Sequence, residues 1–264
     1  MRLKDKVAVV VGAGQTHGET IGNGRATAIL FAREGARVLA VDRDLMSAEI
    51  TVEMIEDEGG DATPFEADIT QTHDCAALAR AAETTYGGID ILHINVGIGA
   101  GDADPIRLDE EVWDHIHSVN LKGHYLTCKH ALPTMRKRGG GSVIFISSAA
   151  AVCSIGMLAY ETSKAGVNAL SHSVAMGNAK YGIRSNVIMP GLMDTPMAIE
   201  GNATALGLSR EEVRARRDKM VPLGNKMGTA WDVAFAALFF ASDESKFITG
   251  TALPVDGGQT ARIG

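Results

Sequence analysis

Tyr160 and Lys164 stand four residues apart in the run Y-E-T-S-K, a spacing that suits proton chemistry. On a helix beginning near Tyr160 the two side chains share a face, one turn apart. A phenol ordinarily keeps its proton until about pH 10, too high for a base at neutral pH. An ammonium one turn away favours the phenolate and lowers that value, and an acid or base works best with a pKa near the working pH. A serine hydroxyl at the end of a strand can hold a carbonyl or alcohol oxygen beside the phenol. Ser147 and Ser148 follow the apolar run 143–146 and meet that description. A tyrosine and a lysine at helical spacing are common as packing and surface residues, so the weight rests on the surrounding elements.

The second chemical signal is a glycine-rich turn. The run Val7–Val11 suits a strand buried on both faces and leads into G-A-G-Q-T-H-G-E-T-I-G-N-G over residues 12–24. A helical pattern follows, with Ala26, Ile29 and Leu30 on one face and Gly35 as its stop. A second strand, 38–41, ends at Asp42. In such a βαβ unit the glycines let backbone N–H groups approach a pyrophosphate at the helix N-terminus. An acidic residue at the second strand end accepts hydrogen bonds from ribose hydroxyls. Gly12, Asn23, Gly24 and Asp42 are therefore candidate cofactor contacts. Arg43 is another, either attracting a 2′-phosphate or stacking on adenine.

The remaining pattern supplies a scaffold. The next helix is expected to turn Glu49, Glu53 and Glu56 outward and Ile50 and Met54 inward. Strands over 63–67, 91–96, 143–146, 184–189 and 252–255 alternate with helices over about 73–86, about 109–132 and from Tyr160 onward. That alternation predicts an α/β fold, a single-domain Rossmann-like doubly wound sheet of about seven parallel strands with helices on both faces. No repeat or linker divides the chain, so one domain over 1–264 is expected, with residues 192–221 as a substrate lid. Asn120, in V-N-L-K-G, is a poor helix-interior residue because its amide competes for backbone hydrogen bonds. A kink or a bound water would account for it, as would a surface position without a role.

Composition narrows the partners. The 264 residues are 45% hydrophobic and 22% charged, ordinary for a globular chain. A net charge of −7 argues against nucleic acid. No apolar run approaches the roughly 18 residues of a membrane span, and Val7–Val11 is too short for the core of a signal peptide. Cys75, Cys128 and Cys153 form no C-x-x-C, and His115 and His117 cannot share a helix face. Neither metal nor disulfide is expected, and the setting is read as cytoplasmic.

Taken together, the glycine turn, Asp68, the Asn95/Gly97 turn, Asn120, Ser148, Y-E-T-S-K, N-V-I-M-P-G and the terminal D-G-G resemble the short-chain dehydrogenase/reductase family over nearly the whole chain. The resemblance implies NAD(P)-dependent oxidation of an alcohol or reduction of a ketone. It implies that Asn120, Ser148, Tyr160 and Lys164 form a catalytic set. In such a set Tyr transfers the proton, Ser orients the substrate oxygen, Lys grips the nicotinamide ribose and Asn holds a water in a proton relay. It adds Asp68, Ile69, Asn95, Gly97, Pro190, Met193 and Thr195 to the cofactor contacts, and implies a homotetramer built on the helices around Asn120 and Tyr160. Leu126, Val167 and Leu170 suit such an interface or the monomer core equally.

Three departures stand out. Nine residues separate Gly12 from Gly22 where the family has three, so the extra loop reads as a flap over the pyrophosphate or a bulge. Ile94 replaces an amide of the usual N-N-A-G. Ser148 lies 12 residues before Tyr160 where 13 is more common; Ser147 has the usual spacing, while the strand I-F-I-S-S favours Ser148.

Asp42 should repel a 2′-phosphate, so NAD is the expected cofactor. No formal charge lies between Ser148 and Tyr160, and Leu192, Met193, Met197 and Ile199 continue the apolar character. The expected substrate is a hydrophobic secondary alcohol or its ketone, cyclic or aryl-substituted. The alternatives are an NADPH-dependent ketone or 3-oxoacyl reductase, and a non-catalytic dinucleotide sensor. Arg210, Arg214 and Arg217 share a helical face, read as solvated or as a grip on an acidic substrate.

Overall fold

A computed structural model of the chain describes residues 1–262. The first βαβ unit is β1 (Val7–Val11), α1 (Asn23–Arg33) and β2 (Arg37–Asp42). It is followed by α2 (Leu45–Glu56), β3 (Asp61–Glu66), α3 (Thr72–Tyr86) and β4 (Ile91–Ile94). The second half runs α4 (Glu110–His117), α5 (Gly123–Arg138), β5 (Gly141–Ile146), α6 (Leu158–Asn178) and β6 (Ile183–Pro190). A small excursion follows: β7 (Met193–Asp194), α7 (Pro196–Leu206), α8 (Arg210–Asp218) and β8 (Gly228–Thr229). The chain closes with α9 (Ala230–Ala241) and β9 (Ala252–Val255).

Seven strands form one parallel sheet in the order β3-β2-β1-β4-β5-β6-β9, and β7 pairs with β8 apart from it. The single-domain doubly wound sheet expected from the alternating pattern is the one observed. Every residue of β1 is buried because helices cover both faces. One face packs Ile29 and Phe31 of α1 against Ala237 and Phe240 of α9. The other packs Leu78 of α3, Leu126 of α5 and Val167 of α6 over Leu92 and Phe145. Leu126 and Val167 thus belong to the monomer core. No helix among the described residues is long and apolar enough to cross a membrane.

Two local expectations are corrected. Ile50 and Met54 are 42% and 40% exposed, and the inward stripe of α2 is Ala48, Thr51, Val52 and Ile55. Polar bonding sets that phase: the Thr51 hydroxyl donates to the Ala13 carbonyl (2.8 Å) and accepts from Arg25 Nε (2.9 Å). The long helix over 109–132 is interrupted by a π turn at Ser118–Lys122, which gives α4 and α5. A π turn admits an extra residue into the helical ladder and turns one side chain off the regular stripe. Asn120 sits in that turn and is wholly buried, so it is not a surface residue.

Candidate active site

The strand order reverses between β1 and β4, and the crevice beyond their C-terminal ends is where ligands bind in open α/β sheets. Gly12 ends β1 with φ +79°, a left-handed conformation that glycine adopts without strain. A Cβ on Gly24 would lie 1.8 Å from the Gly12 carbonyl oxygen, so no side chain fits there. Asn95 Nδ2 donates to the same oxygen (3.2 Å) and pins the turn to the end of β4. No side chain caps the N-terminus of α1. Thr20 Oγ1 and Asn23 Oδ1 lie buried beside it without a partner. An uncapped helix end, a Cβ-free cradle and the orphaned Thr20 hydroxyl, which can donate, fit a pyrophosphate.

Asp42 stands at the end of β2, its Oδ2 accepting from Gly14 N (2.9 Å) and its Oδ1 from Asp44 N (3.1 Å). Each carboxylate oxygen can still accept a further bond. Arg43 is exposed and makes no ion pair among the described residues. The inserted loop is anchored at both ends. Gln15 N donates to Ser47 Oγ (2.9 Å) and Gln15 Oε1 accepts from Gly22 N (2.8 Å). At the tip, Glu19 pairs with Arg210 (3.5 Å) and Arg214 (3.3 Å) of α8. Arg214 also pairs with Asp194 (3.2 Å) and Arg210 with Glu200 (2.9 Å), while half-buried Arg217 points Nε at Met227 Sδ (3.3 Å). Of the arginine face expected to be solvated or to grip an acidic substrate, Arg210 is exposed, and Arg210 and Arg214 tie the inserted loop to α8.

The candidate groups for proton transfer meet across β5, the π turn and α6. Asn120 Oδ1 accepts from Ile98 N (2.8 Å), and its Nδ2 donates to Ile98 O (2.9 Å) and Ser163 Oγ (3.1 Å). Ser147 Oγ donates to the Lys164 carbonyl (2.8 Å). Ser148 opens the short turn Ala149–Ala151, its Oγ accepting from Ala150 N (3.1 Å). Lys164 is 2% exposed and donates to Ile146 O (3.0 Å) and Val96 O (3.4 Å). Its Nζ lies 5.7 Å from the centroid of the Tyr160 ring.

Burial governs both pKa values. It pushes the Tyr160 phenol up, and the nearby Ser148 hydroxyl pulls it part of the way back. It pushes the Lys164 ammonium down to about 8. The ammonium was expected to lower the phenol's pKa; in the structure it turns to two carbonyls, and Ser148 is the group that favours the phenolate.

The exit from β4 runs close by. A Cβ on Gly97 would lie 2.8 Å from Lys164 Nζ, and one on Gly99 would lie 3.4 Å from the Tyr160 ring. Ile94 is buried in the core, so an apolar contact stands where the usual amide would be. Asp68 is exposed with Oδ1 held by Thr70 N (2.9 Å), and Ile69 is buried against the position of Gly123. Pro190 closes β6, and buried Thr195 stands at the N-cap position of α7 without a side-chain capping bond. Met193 and Ile199 turn into the core instead of toward the site, whereas Val152, Ile155 and Met197 are more than half exposed.

The motif reading missed two residues. Gln259 Oε1 accepts from Leu192 N (2.8 Å) and steadies the segment after β6; its place just after D-G-G was the available signal. Asp102 accepts from Tyr160 N (2.7 Å) across 58 residues of chain, with no local pattern to announce it.

The family described as Enoyl-(Acyl carrier protein) reductase matches residues 18–260. The chain is 37% identical to 3beta-hydroxysteroid dehydrogenase 1 of Eggerthella lenta, over 98% of this chain and 95% of that protein. It is 35% identical to a 3-oxoacyl-(acyl-carrier-protein) reductase of Thermotoga maritima, over 98% and 99% of the two chains. A solved short-chain type dehydrogenase/reductase from Mycobacterium marinum superposes with a TM-score of 0.87 at 28% identity, over 98% and 97% of the two chains.

Proposed function

Because this chain belongs to the short-chain dehydrogenase/reductase family and is an oxidoreductase, we propose that it exchanges a hydride between NAD and a hydrophobic secondary alcohol or ketone, cyclic or aryl-substituted. The observation that carries the chemistry is the buried Lys164 ammonium 5.7 Å from the centroid of the Tyr160 ring, with Ser148 pulling the phenol's pKa down against burial. Tyr160 gives its proton to the carbonyl oxygen in reduction and takes it back in oxidation. Ser148 donates to that oxygen and favours the phenolate. Asn120 fixes the Gly97–Gly99 stretch beside Lys164 through Ile98. The nicotinamide, when bound, supplies or accepts the hydride. Gly12, Asn23 and Gly24 would hold its pyrophosphate, Asp42 the adenosine ribose and Lys164 the nicotinamide ribose. Arg43, Asp68, Ile69, Asn95, Gly97, Pro190 and Thr195 would complete the dinucleotide site, with Met193 reaching it through its backbone only.

NAD is favoured because a 2′-phosphate would stand against the Asp42 carboxylate. About 1.4 kcal/mol of repulsion is a tenfold preference. The check is kcat/KM with NAD and with NADP; equal values, or a preference for NADP, mean that exposed Arg43 outweighs Asp42. The apolar side chains of Val152, Ile155 and Met197, together with the hydroxysteroid dehydrogenase relative, support a cyclic or aryl substrate. The second reading, a 3-oxoacyl reductase, is favoured by the Thermotoga maritima relative. A panel of cyclic alcohols, aryl alcohols, polyols and 3-oxoacyl thioesters separates the two, and kcat/KM rising with hydroxyl count overturns the apolar reading. Retention of the whole Asn120, Ser148, Tyr160 and Lys164 set speaks against a silent sensor. Phe247, at 101% exposure, and half-exposed Tyr125 and Phe235 support assembly into a homotetramer. Light scattering that returns 27.8 kDa would overturn it.

A further inference from the structure

We propose that Asp102 is a positioning residue that sets where the Tyr160 phenol stands relative to Ser148, by capping α6 from outside its own segment. The inference rests on Tyr160 as the proton carrier.

Helix α6 opens without a cap of its own. Met157 precedes it and contributes no side-chain capping bond. The first-turn N–H groups of a helix have no partner inside it and cost free energy if left bare. Here they end on the loop beyond β4. Asp102 Oδ2 accepts from Tyr160 N (2.7 Å), and Oδ1 accepts from Ala159 N (3.1 Å) and Ala103 N (2.8 Å). Leu158 N donates to Ala103 O (3.2 Å). A carboxylate at this end also meets the positive pole of the helix, and hydrogen bonds to an ionised acceptor are the stronger kind.

Glu161 does not duplicate this cap. Its Oε1 accepts from Ile155 N (2.6 Å), Met157 N (3.1 Å) and Ser154 Oγ (3.2 Å), so it braces the loop ahead of the helix. Ser148 and Tyr160 are therefore held by different elements: the serine by the end of β5, the tyrosine by the first turn of α6. The segment joining them is exposed from Val152 to Gly156 and turns through φ +81° at Gly156, so it fixes their separation poorly. The bonds of Ser147 Oγ to Lys164 O and of Lys164 Nζ to Ile146 O join β5 to α6 one turn further on, and Asp102 adds the tie at Tyr160 itself. Four residues upstream, Ile98 is clamped at both backbone groups by Asn120. The loop thus runs from one member of the catalytic set to the backbone of another.

The test uses the full chain with Asp102→Ala and Asp102→Asn, assayed with NAD and cyclohexanol and with NADH and cyclohexanone. Hydrogen exchange over residues 158–161, NADH affinity by fluorescence and Tm accompany the kinetics. For Asp102→Ala we expect kcat to fall by about tenfold to a hundredfold, the scale of a displacement near 1 Å. NADH affinity should hold within about twofold, and exchange at the helix start should quicken. The rising limb of oxidation should move to higher pH, because a looser Ser148 contact favours the phenolate less. Asp102→Asn keeps one acceptor oxygen and should fall between. A folded Asp102→Ala with kcat within about twofold of the parent overturns the inference, as does a lower kcat with an unmoved pH profile. Should the alanine variant not fold, the asparagine variant decides by the same readouts. Tyr160→Phe runs in parallel: turnover retained there overturns the proton-carrier reading and this one with it. If Tyr160→Phe is dead and Asp102→Ala matches the parent, only the positioning role fails.

Discussion

The Ser147 hydroxyl donates to the backbone carbonyl of Lys164 at 2.8 Å, joining the end of β5 to the middle of the catalytic helix. That bond engages Ser147, which is 3% exposed, and favours Ser148 as the serine free to meet a substrate oxygen. Ser147→Ala should cost stability by about 1 kcal/mol and keep most of kcat. Ser148→Ala should lower kcat by about a hundredfold at little cost in Tm. Steady-state kinetics beside thermal melts make the comparison, and the reverse pattern would reassign the role to Ser147.

Lys164 offers a test through pH. Burial holds its ammonium at about 8, down from an ordinary 10.5. A depressed folded pKa means that the unfolded chain binds more protons between those two values. Relative to Lys164→Met, the parent should therefore gain stability as pH rises from about 8 to about 10.5, by up to roughly 3 kcal/mol, since the opposing buried thiols Cys75 and Cys128 are common to both proteins. Lys164→Met should lack that rise while losing turnover and NADH affinity. Melts from pH 7 to 10.5 with parallel slopes for both proteins would contradict it.

His93 is a removable liability in the middle of β4. Both ring nitrogens are buried without partners, and its edge faces Phe31 at 6.1 Å between centroids. Burial pushes it down to about 3 from 6.5, so the stability it permits is full above about 6.5 and lost as pH falls toward 3. His93→Val should raise stability at neutral pH by about 1 to 3 kcal/mol and flatten the acid slope. Part of that slope should persist, because buried His124 is pushed down in the same way. A variant less stable than the parent at pH 7, by urea melts, would show that the ring's packing outweighs its unpaired nitrogens.

The inserted loop should behave as a flap. Its Glu19 ion pairs with Arg210 and Arg214 are exposed, and such pairs contribute about 0.2 to 1 kcal/mol each. Glu19→Gln should weaken NADH binding by about twofold to tenfold at low salt, and the difference should shrink as salt screens the parent's pairs. Equal affinities at low salt would mean that the loop is a bulge with no hold on the cofactor.

Much of this protein is written locally. The β1 run, the glycine turn and Asp42 specify a dinucleotide cradle because strand period, helix start and turn geometry each act over a few residues. Gly24 is a clear case, since the close approach of the Gly12 carbonyl forbids any side chain. Y-E-T-S-K places Tyr160 and Lys164 one helical turn apart whatever surrounds them. Tertiary structure decided what depends on partners distant in sequence. The π turn at Asn120 exists beside Ile98 and Ser163, 22 and 43 residues away. The phase of α2 follows from Thr51 bonding to Ala13 and Arg25, which overrode the apolar stripe at Ile50 and Met54. The phenol's pKa is set by burial and Ser148, because Lys164 found two strand-end carbonyls closer to hand. Asp102 shows the division most plainly: a carboxylate in a glycine-rich loop has no local signature. Its place at the head of α6 arises only once the sheet brings the end of β4 beside the end of β5.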